Sequence, residues 1–138
     1  MRRRLIPVNV VIAALLFMLL SLNMDQTKPP PVVMKTGRLL YEKECQRCHL
    51  PEGQGVQGMN PSLTETDRVL GSKKRLIETV IKRSADSIKA DRNLLPLHPH
   101  LTNQQVADVL TYVRNSFGNK ASAVTAREVK KVRAEKKI

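Results

Sequence analysis

The sequence predicts an all-α protein in which about three main helices form one small domain, preceded by an N-terminal apolar helix. Three observations support this fold class. Apolar residues recur at helical spacing in three stretches, 35–46, 73–84 and 102–117. A nearly continuous apolar run opens the chain, and both cysteines lie within one segment of four positions. The 138 residues leave room for a single domain beside the N-terminal run.

The N-terminal segment, residues 1–24, has the composition of a signal-anchor helix. Three arginines at positions 2–4 precede an apolar run from Leu5 to Leu22. As a helix this run would reach roughly 27 Å, close to the hydrocarbon thickness of a bilayer. The arginines favour the cytoplasmic side, which places the rest of the chain outside. Residues 20–24 make a poor cleavage site, so an uncleaved anchor is favoured over a removable signal peptide.

A proline-rich stretch follows, and residues 25–34 are expected to form an extended, stiff linker. The folded domain is expected over residues 35–118. Its first helix, about 35–46, contains Gly37. A glycine inside a helix costs roughly 1 kcal/mol relative to alanine, so its expected use is close approach by another helix.

Capping residues mark the two later helices. Ser72 precedes the second helix, which is predicted over 73–84, with irregular chain from 85 to 100. Thr102 and Gln105 form a capping box at the start of the third helix, and Gly118 ends it.

The five residues CQRCH, from Cys45 to His49, match the Cys-x-x-Cys-His pattern of covalent c-type haem attachment. Two thiols separated by two residues at a helix end can both reach the vinyl groups along one side of a porphyrin. The adjoining His49 then lies under the iron and supplies an imidazole nitrogen as axial ligand. A domain this small also needs a staple such as a cofactor. The predicted cofactor is one haem c, bonded to Cys45 and Cys48.

Other uses of the two cysteines stay open at this stage. A disulfide across two residues closes almost no loop and adds little stability. A thioredoxin-like redox pair needs a strand leading into the cysteines, whereas a helix leads in here. A structural zinc site could combine Cys45 and Cys48 with two of His49, His98 and His100, although a histidine beside a ligand cysteine makes that geometry awkward.

Residues 37–118 resemble the class I cytochrome c domain, in its small membrane-bound or periplasmic bacterial form. The matching features are Gly37, Tyr41, the CQRCH motif and the stretches GQGVQGMNPSL, VLGSKKRLIETVI and LTNQQVADVLTYVRNSFGN. The resemblance implies a small cytochrome c-like fold, with about three main helices wrapped around a covalent haem.

The same resemblance implies two sets of contacts. Gly37 and Tyr41 of the first helix should meet three residues of the last helix: Val109, Tyr112 and Val113. The carbonyl of Pro61 should bind the second ring nitrogen of His49. A partner of this kind fixes the tautomer of the ligand and raises its basicity.

The sixth iron ligand departs from the family pattern. Relatives place a methionine directly before a proline upstream of the last helix, whereas this chain has Leu95 followed by Pro96. Met59 lies in the proximal loop, on the wrong side of the ring by analogy. His98 is the preferred replacement, because the loop can shift to deliver it, and His100, next to the helix cap, is the alternative. An iron position left open, or a group from a partner, are the other outcomes.

The sequence thus predicts an electron carrier rather than an enzyme: a monohaem c-type cytochrome held at the periplasmic face of the cytoplasmic membrane. Its partners would be redox proteins, and it could be a subunit of a respiratory or nitrogen-cycle complex. The alternative function is a haem-based binder or sensor of small ligands, or a weak peroxidase, which requires an open distal site.

Charge is concentrated in two regions, on a chain whose net charge is +12. Residues 72–92 carry seven basic and three acidic side chains, and the basic tail, residues 119–138, carries seven and two. The tail has a capping box at Thr125 and Glu128 but hardly any apolar surface. Such runs are often solvated faces; the functional interpretations are docking to an acidic redox partner or adhesion to anionic lipid. Export and the lack of interleaved aromatic residues argue against nucleic acid.

Overall fold

The computed structural model describes residues 12, 28–90 and 100–136. Within this part of the chain the helices are α1 (Pro31–Glu44), α2 (Gln46–His49), α3 (Asp67–Leu70), α4 (Lys73–Ala90), α5 (Asn103–Val113) and α6 (Ala126–Lys136). The described residues contain no strand, only one isolated bridge between Val56 and Asn60. The predicted all-α class is therefore confirmed for the described residues.

Helix α1 begins earlier than its apolar pattern suggests. Pro30 is the N-cap residue and Pro31 the first helical residue. Proline is well suited to that position because its φ is preset and its missing N–H would have no partner inside the helix. The expectation of an extended linker through residue 34 is wrong for Pro31–Met34, which form the first turn of α1.

Helices α1 and α5 approach each other closely at Gly37, as predicted. A Cβ atom at Gly37 would clash with the carbonyl oxygen of Asp108 and lie 2.6 Å from the Cβ of Tyr112. Next to this contact, the ring of Tyr41 lies 5.6 Å from that of Tyr112 and 5.1 Å from that of Phe117, centroid to centroid. The absent side chain of Gly37 thus allows the two backbones to touch, and an aromatic cluster packs beside them.

Helix α5 has the predicted capping box. The backbone N–H of Gln105 donates to Thr102 Oγ1, and the backbone N–H of Thr102 donates to Gln105 Oε1. The helix ends at Val113, four residues before the predicted end, and the chain then turns. Asn119 explains the early end, because its Nδ2 donates to the carbonyl of Val113 at 2.7 Å. Phe117 follows with a φ of 58°.

Two predictions about helix extent are corrected or remain open. Helix α4 begins after Ser72, whose Oγ accepts from the Arg75 N–H at 3.4 Å, but it runs to Ala90 rather than ending at residue 84. The prediction of irregular chain from residue 85 is therefore wrong as far as Ala90. Residues 91–99, which include Leu95, Pro96 and His98, lie outside the described residues.

The C-terminal tail is not the apolar-poor appendage that its composition indicates. Residues 126–136 form α6, which packs on α4 and α5. Val124, Val129 and Val132 are buried in the same core as Tyr41. The expectation that the tail has hardly any apolar surface to bury is wrong, because Val129 and Val132 share one face of α6 and Val124 is buried just before the helix.

Polar contacts reinforce this docking of α6. The predicted capping box is present: the backbone N–H of Thr125 donates to Glu128 Oε2 at 2.8 Å, and the N–H of Glu128 donates to Thr125 Oγ1. Lys73 Nζ lies 2.9 Å from Glu128 Oε1. Burial raises the pKa of Glu128, but the hydrogen bonds from Lys73 and Thr125 outweigh it and hold the pKa below its usual value.

The predicted anchor, residues 1–24, lies outside the described residues except for Ile12. Among the helices of the described ranges, none combines the length and apolar character needed to cross a bilayer. The anchor therefore remains a prediction.

Replacing Gly37 by alanine tests the contact between α1 and α5. In a solvated helix the change would stabilise the folded protein by roughly 1 kcal/mol. Here, however, the added methyl group collides with the Asp108 carbonyl. We expect a loss of about 1–3 kcal/mol in the free energy of unfolding, as for an overpacked core. Urea denaturation would measure it, with Lys35→Ala on the exposed side of α1 as control. A Gly37→Ala protein as stable as the wild type would contradict the contact.

Candidate functional site

The two cysteines and the adjoining histidine lie together at the junction of α1 and α2. Cys45 closes α1, with its N–H bonded to the Tyr41 carbonyl at 2.9 Å, and α2 is the single turn that follows. Residues three and four apart share one face of a helical turn, so Cys48 and His49 come next to Cys45. All three side chains line the same cavity.

His49 has the predicted partner. Its Nδ1 lies 3.0 Å from the carbonyl oxygen of Pro61. A carbonyl oxygen can only accept a hydrogen bond, so the proton must sit on Nδ1. The lone pair is then on Nε2, which is the nitrogen able to bind a metal ion.

The loop between α2 and α3 brings Pro61 to this position through glycine. Gly55 has a φ of +68°, and a Cβ there would lie 2.8 Å from both the carbonyl carbon and the oxygen of Pro61. The Gly55 N–H also donates to the His49 carbonyl at 3.0 Å. A side chain at this position would therefore push the Pro61 carbonyl away from its place beside the imidazole.

The cavity beside His49 has a volume of about 420 Å³. Its walls are mostly apolar and come from α3, α4, α5 and the loops next to them. The apolar residues are Leu63, Val69, Leu76, Val80, Leu101, Val109, Leu110 and Val113. The polar lining includes Glu44, Asn60, Arg68 and Thr79. A large apolar space with a few polar groups is suited to an extended, mainly apolar prosthetic group.

Burial determines the chemistry of the first cysteine. It raises the pKa of the Cys45 thiol to about 12, with a smaller contribution from the nearby carboxylate of Glu44. Burial thus makes this thiol less reactive than an exposed one. The two sulfur atoms are not joined in a disulfide. Both cysteines are therefore compatible with thioether attachment.

The described residues offer no cluster that supports the zinc hypothesis. Within residues 28–90 and 100–136, no group of three or more His, Cys, Asp and Glu side chains is placed to hold a metal ion. Among the described residues, the haem hypothesis requires only His49 as a ligand to the iron, because the porphyrin itself would supply the in-plane nitrogen ligands.

His100, the alternative sixth ligand, lies at the surface. Its side chain is 56% exposed and its Nε2 lies 3.1 Å from Glu44 Oε1. It does not line the cavity. In this arrangement His100 is not positioned as an iron ligand, while His98, the preferred residue, lies outside the described residues.

Arg114 stabilises one wall of the cavity, a role that the sequence did not predict. It is 3% exposed, and its guanidinium donates to the carbonyl oxygens of Val69, Leu70 and Gly71 at the end of α3. Its Nε donates to the backbone carbonyl oxygen of Ser122 at 2.9 Å. Burial lowers the pKa of Arg114, but a guanidinium stays charged at any physiological pH. The side chain thus satisfies helix-end carbonyls and holds Val69 in the wall.

Two further lining residues, Arg68 and Thr79, also escaped the sequence analysis. Arg68 belongs to α3, a helix of four residues that is too short to produce a periodic pattern. Thr79 lies on α4, where its Oγ1 donates to the Arg75 carbonyl at 2.9 Å. Only the packed fold shows that these two side chains reach the cavity.

Replacing Arg114 by methionine tests whether its hydrogen bonds to the end of α3 stabilise the fold. The change keeps the length of the side chain but leaves the carbonyls at the end of α3 without their donor. Because each unsatisfied buried polar group costs about 1–3 kcal/mol, we expect a loss of about 3 kcal/mol or more in the free energy of unfolding. Arg127→Met, at an exposed position of α6, is the matched control. If both variants unfold at the same urea concentration, the proposed stabilising role of Arg114 is wrong.

The chain was also compared with known proteins. Residues 34–117 match the family model for cytochrome c. The chain is 35% identical over 101 residues to the cytochrome c subunit of an alcohol dehydrogenase (quinone) from Gluconacetobacter polyoxogenes, covering 67% of this chain and 21% of that protein. It is 33% identical over 124 residues to the fructose dehydrogenase cytochrome subunit of Gluconobacter japonicus, covering 81% of this chain and 25% of that protein. The matched region thus spans about a fifth to a quarter of these relatives.

Proposed function

Because the chain belongs to the cytochrome c family, as an electron-carrier domain rather than an enzyme, we propose that it binds one haem c and carries single electrons at the outer face of the cytoplasmic membrane. The observation that carries the proposal is the meeting of Cys45, Cys48 and His49 at one apolar cavity. The sequence has two cysteines in all, enough for one such attachment.

Each part of the site has a role in this function. The haem supplies an iron that changes valence by one electron without making or breaking bonds. Cys45 and Cys48 would hold the porphyrin by thioether bonds, and His49, oriented by Pro61, would bind the iron through Nε2. Arg68 is the cationic side chain among the described lining residues and is suited to hold a carboxylate of the porphyrin. The apolar walls exclude water from the ring.

The partners follow from the comparisons and from the surface charge. The relatives named above are cytochrome subunits of dehydrogenases. By analogy, this chain would exchange electrons with a dehydrogenase or another redox protein, in a complex or by transient docking. The exposed cations Arg127, Lys130 and Lys131 on α6 suit a partner with an acidic surface, which would speed encounter at low ionic strength.

Membrane attachment belongs to the proposal as well. The apolar run and the arginines at positions 2–4 support an N-terminal anchor with the haem domain in the periplasm. His98 is proposed as the sixth ligand. The engagement of His100 with Glu44 at the surface supports His98 over His100. The ligand-binding function remains a second candidate. It requires an iron position that no histidine of this chain fills, and His100 at the surface leaves that position unfilled unless His98 binds there.

Covalent attachment is the first test. In a host that matures c-type cytochromes, the purified chain should be coloured, should keep its pigment in acidified acetone, and should gain the mass of one haem. A Cys45→Ala/Cys48→Ala double variant should lose its pigment under the same treatment. A colourless wild-type protein, or pigment that is extracted from it, would contradict the proposed function.

The absorption spectrum of the oxidised protein distinguishes the two candidate functions. A low-spin spectrum that becomes high-spin in His98→Ala, and is unchanged in His100→Ala, is expected for an electron carrier ligated by His98. A wild-type protein that is already high-spin, and takes up carbon monoxide readily when reduced, would favour the ligand-binding function instead.

A further inference from the structure

We propose that α6 controls access to the haem by fixing one wall of the cavity through Arg133. This helix lies beyond the residues that match the cytochrome c family, which end at 117. The inference rests on the proposed function, because the cavity must hold a haem for access to matter. Arg133 is a positioning residue: it acts on the site through Leu101.

The contact that carries the proposal is a forked pair of hydrogen bonds. Arg133 Nη2 donates to the carbonyl oxygen of Leu101 at 2.7 Å, and Nη1 donates to Asn103 Oδ1 at 2.9 Å. Leu101 is 3% exposed and its side chain lines the cavity. A planar guanidinium that engages two acceptors fixes direction as well as distance. The backbone immediately before α5 is thereby held in one place.

Arg133 is itself held firmly. Val132, its neighbour in the chain, and Val129, one turn earlier, are 4% and 0% exposed in the core. Glu135, two residues later, pairs with Lys74 at 2.8 Å and ties α6 to the start of α4. The packing of α6 therefore fixes the backbone from which the Arg133 guanidinium reaches Leu101 and Asn103.

The wall is tied from two directions. On one side of Leu101, His100 contacts Glu44, the residue immediately before the attachment motif. On the other side, Arg133 ties the wall to α6. Loss of Arg133 would remove the hydrogen bond that α6 makes to the Leu101 carbonyl, and the cavity would open more often to water and to small ligands.

The rate at which imidazole binds to the oxidised, haem-loaded protein measures this opening, with all variants compared in a His98→Ala background so that the proposed sixth ligand does not compete for the iron. In Arg133→Gln we expect the rate to rise about tenfold, since a hydrogen bond from a charged donor is worth that factor or more. The midpoint potential should shift as water reaches the ring. Arg133→Lys can still donate one hydrogen bond to Leu101, so its rate should be intermediate. Lys130→Gln removes the same charge from the exposed face of α6 and should bind imidazole at the rate of the His98→Ala background.

The outcomes distinguish a failure of the proposed function from a failure of the positioning role of Arg133. If the wild-type chain carries no covalent haem, the proposed function fails and this inference fails with it. If the haem is present and Arg133→Gln binds imidazole no faster than Lys130→Gln, only the positioning role is wrong. If Arg133→Gln does not fold, the comparison passes to Arg133→Lys, for which an unchanged rate and potential would overturn the proposal.

Discussion

The fold is organised around an apolar cavity of about 420 Å³ that the described side chains surround but do not fill. Apolar side chains that line an unfilled cavity do not contribute the roughly 25 cal/mol per Å² that their full burial would supply. This loss matters because the whole stability of a small domain is only about 5–15 kcal/mol. Water is a poor occupant because most of the lining is apolar. An apolar group bonded inside the cavity converts this cost into buried contact, and a chain with both cysteines at the cavity is equipped to hold one.

Several sequence features are best understood as means of building the cavity walls. Gly37 allows α1 to lie directly on α5, which supplies Val109, Leu110 and Val113 to the wall. Gly55 allows the loop to fold back so that a backbone carbonyl orients His49. Arg114 holds the short helix α3 in place by donating to the Val69 carbonyl. In each case a local property of one residue determines where a wall of the cavity lies, and the walls determine the environment of the iron.

What could be predicted from the sequence depended on short-range patterns. The cysteine–histidine motif, both capping boxes and the contact of Pro61 with His49 are encoded within a few residues or in a family pattern, and the structure shows these contacts. The burial of α6 was missed because Val129 and Val132 are isolated among charged residues, and only packing against α4 and α5 reveals their shared face. Arg114 and Arg133 were missed for a related reason. Their partners are backbone carbonyls distant in sequence, which leave no signal in residue type or spacing.

The most direct test of this account is the thermal unfolding of the same chain with and without its covalent haem, followed by far-ultraviolet circular dichroism. The Cys45→Ala/Cys48→Ala variant, purified without pigment, provides the haem-free chain. The account predicts a cooperative transition for the haem-loaded protein, and for the haem-free chain reduced helicity with no cooperative transition. A haem-free chain that unfolds cooperatively at the same temperature as the loaded protein would show that the core is complete without the haem, and would contradict the account.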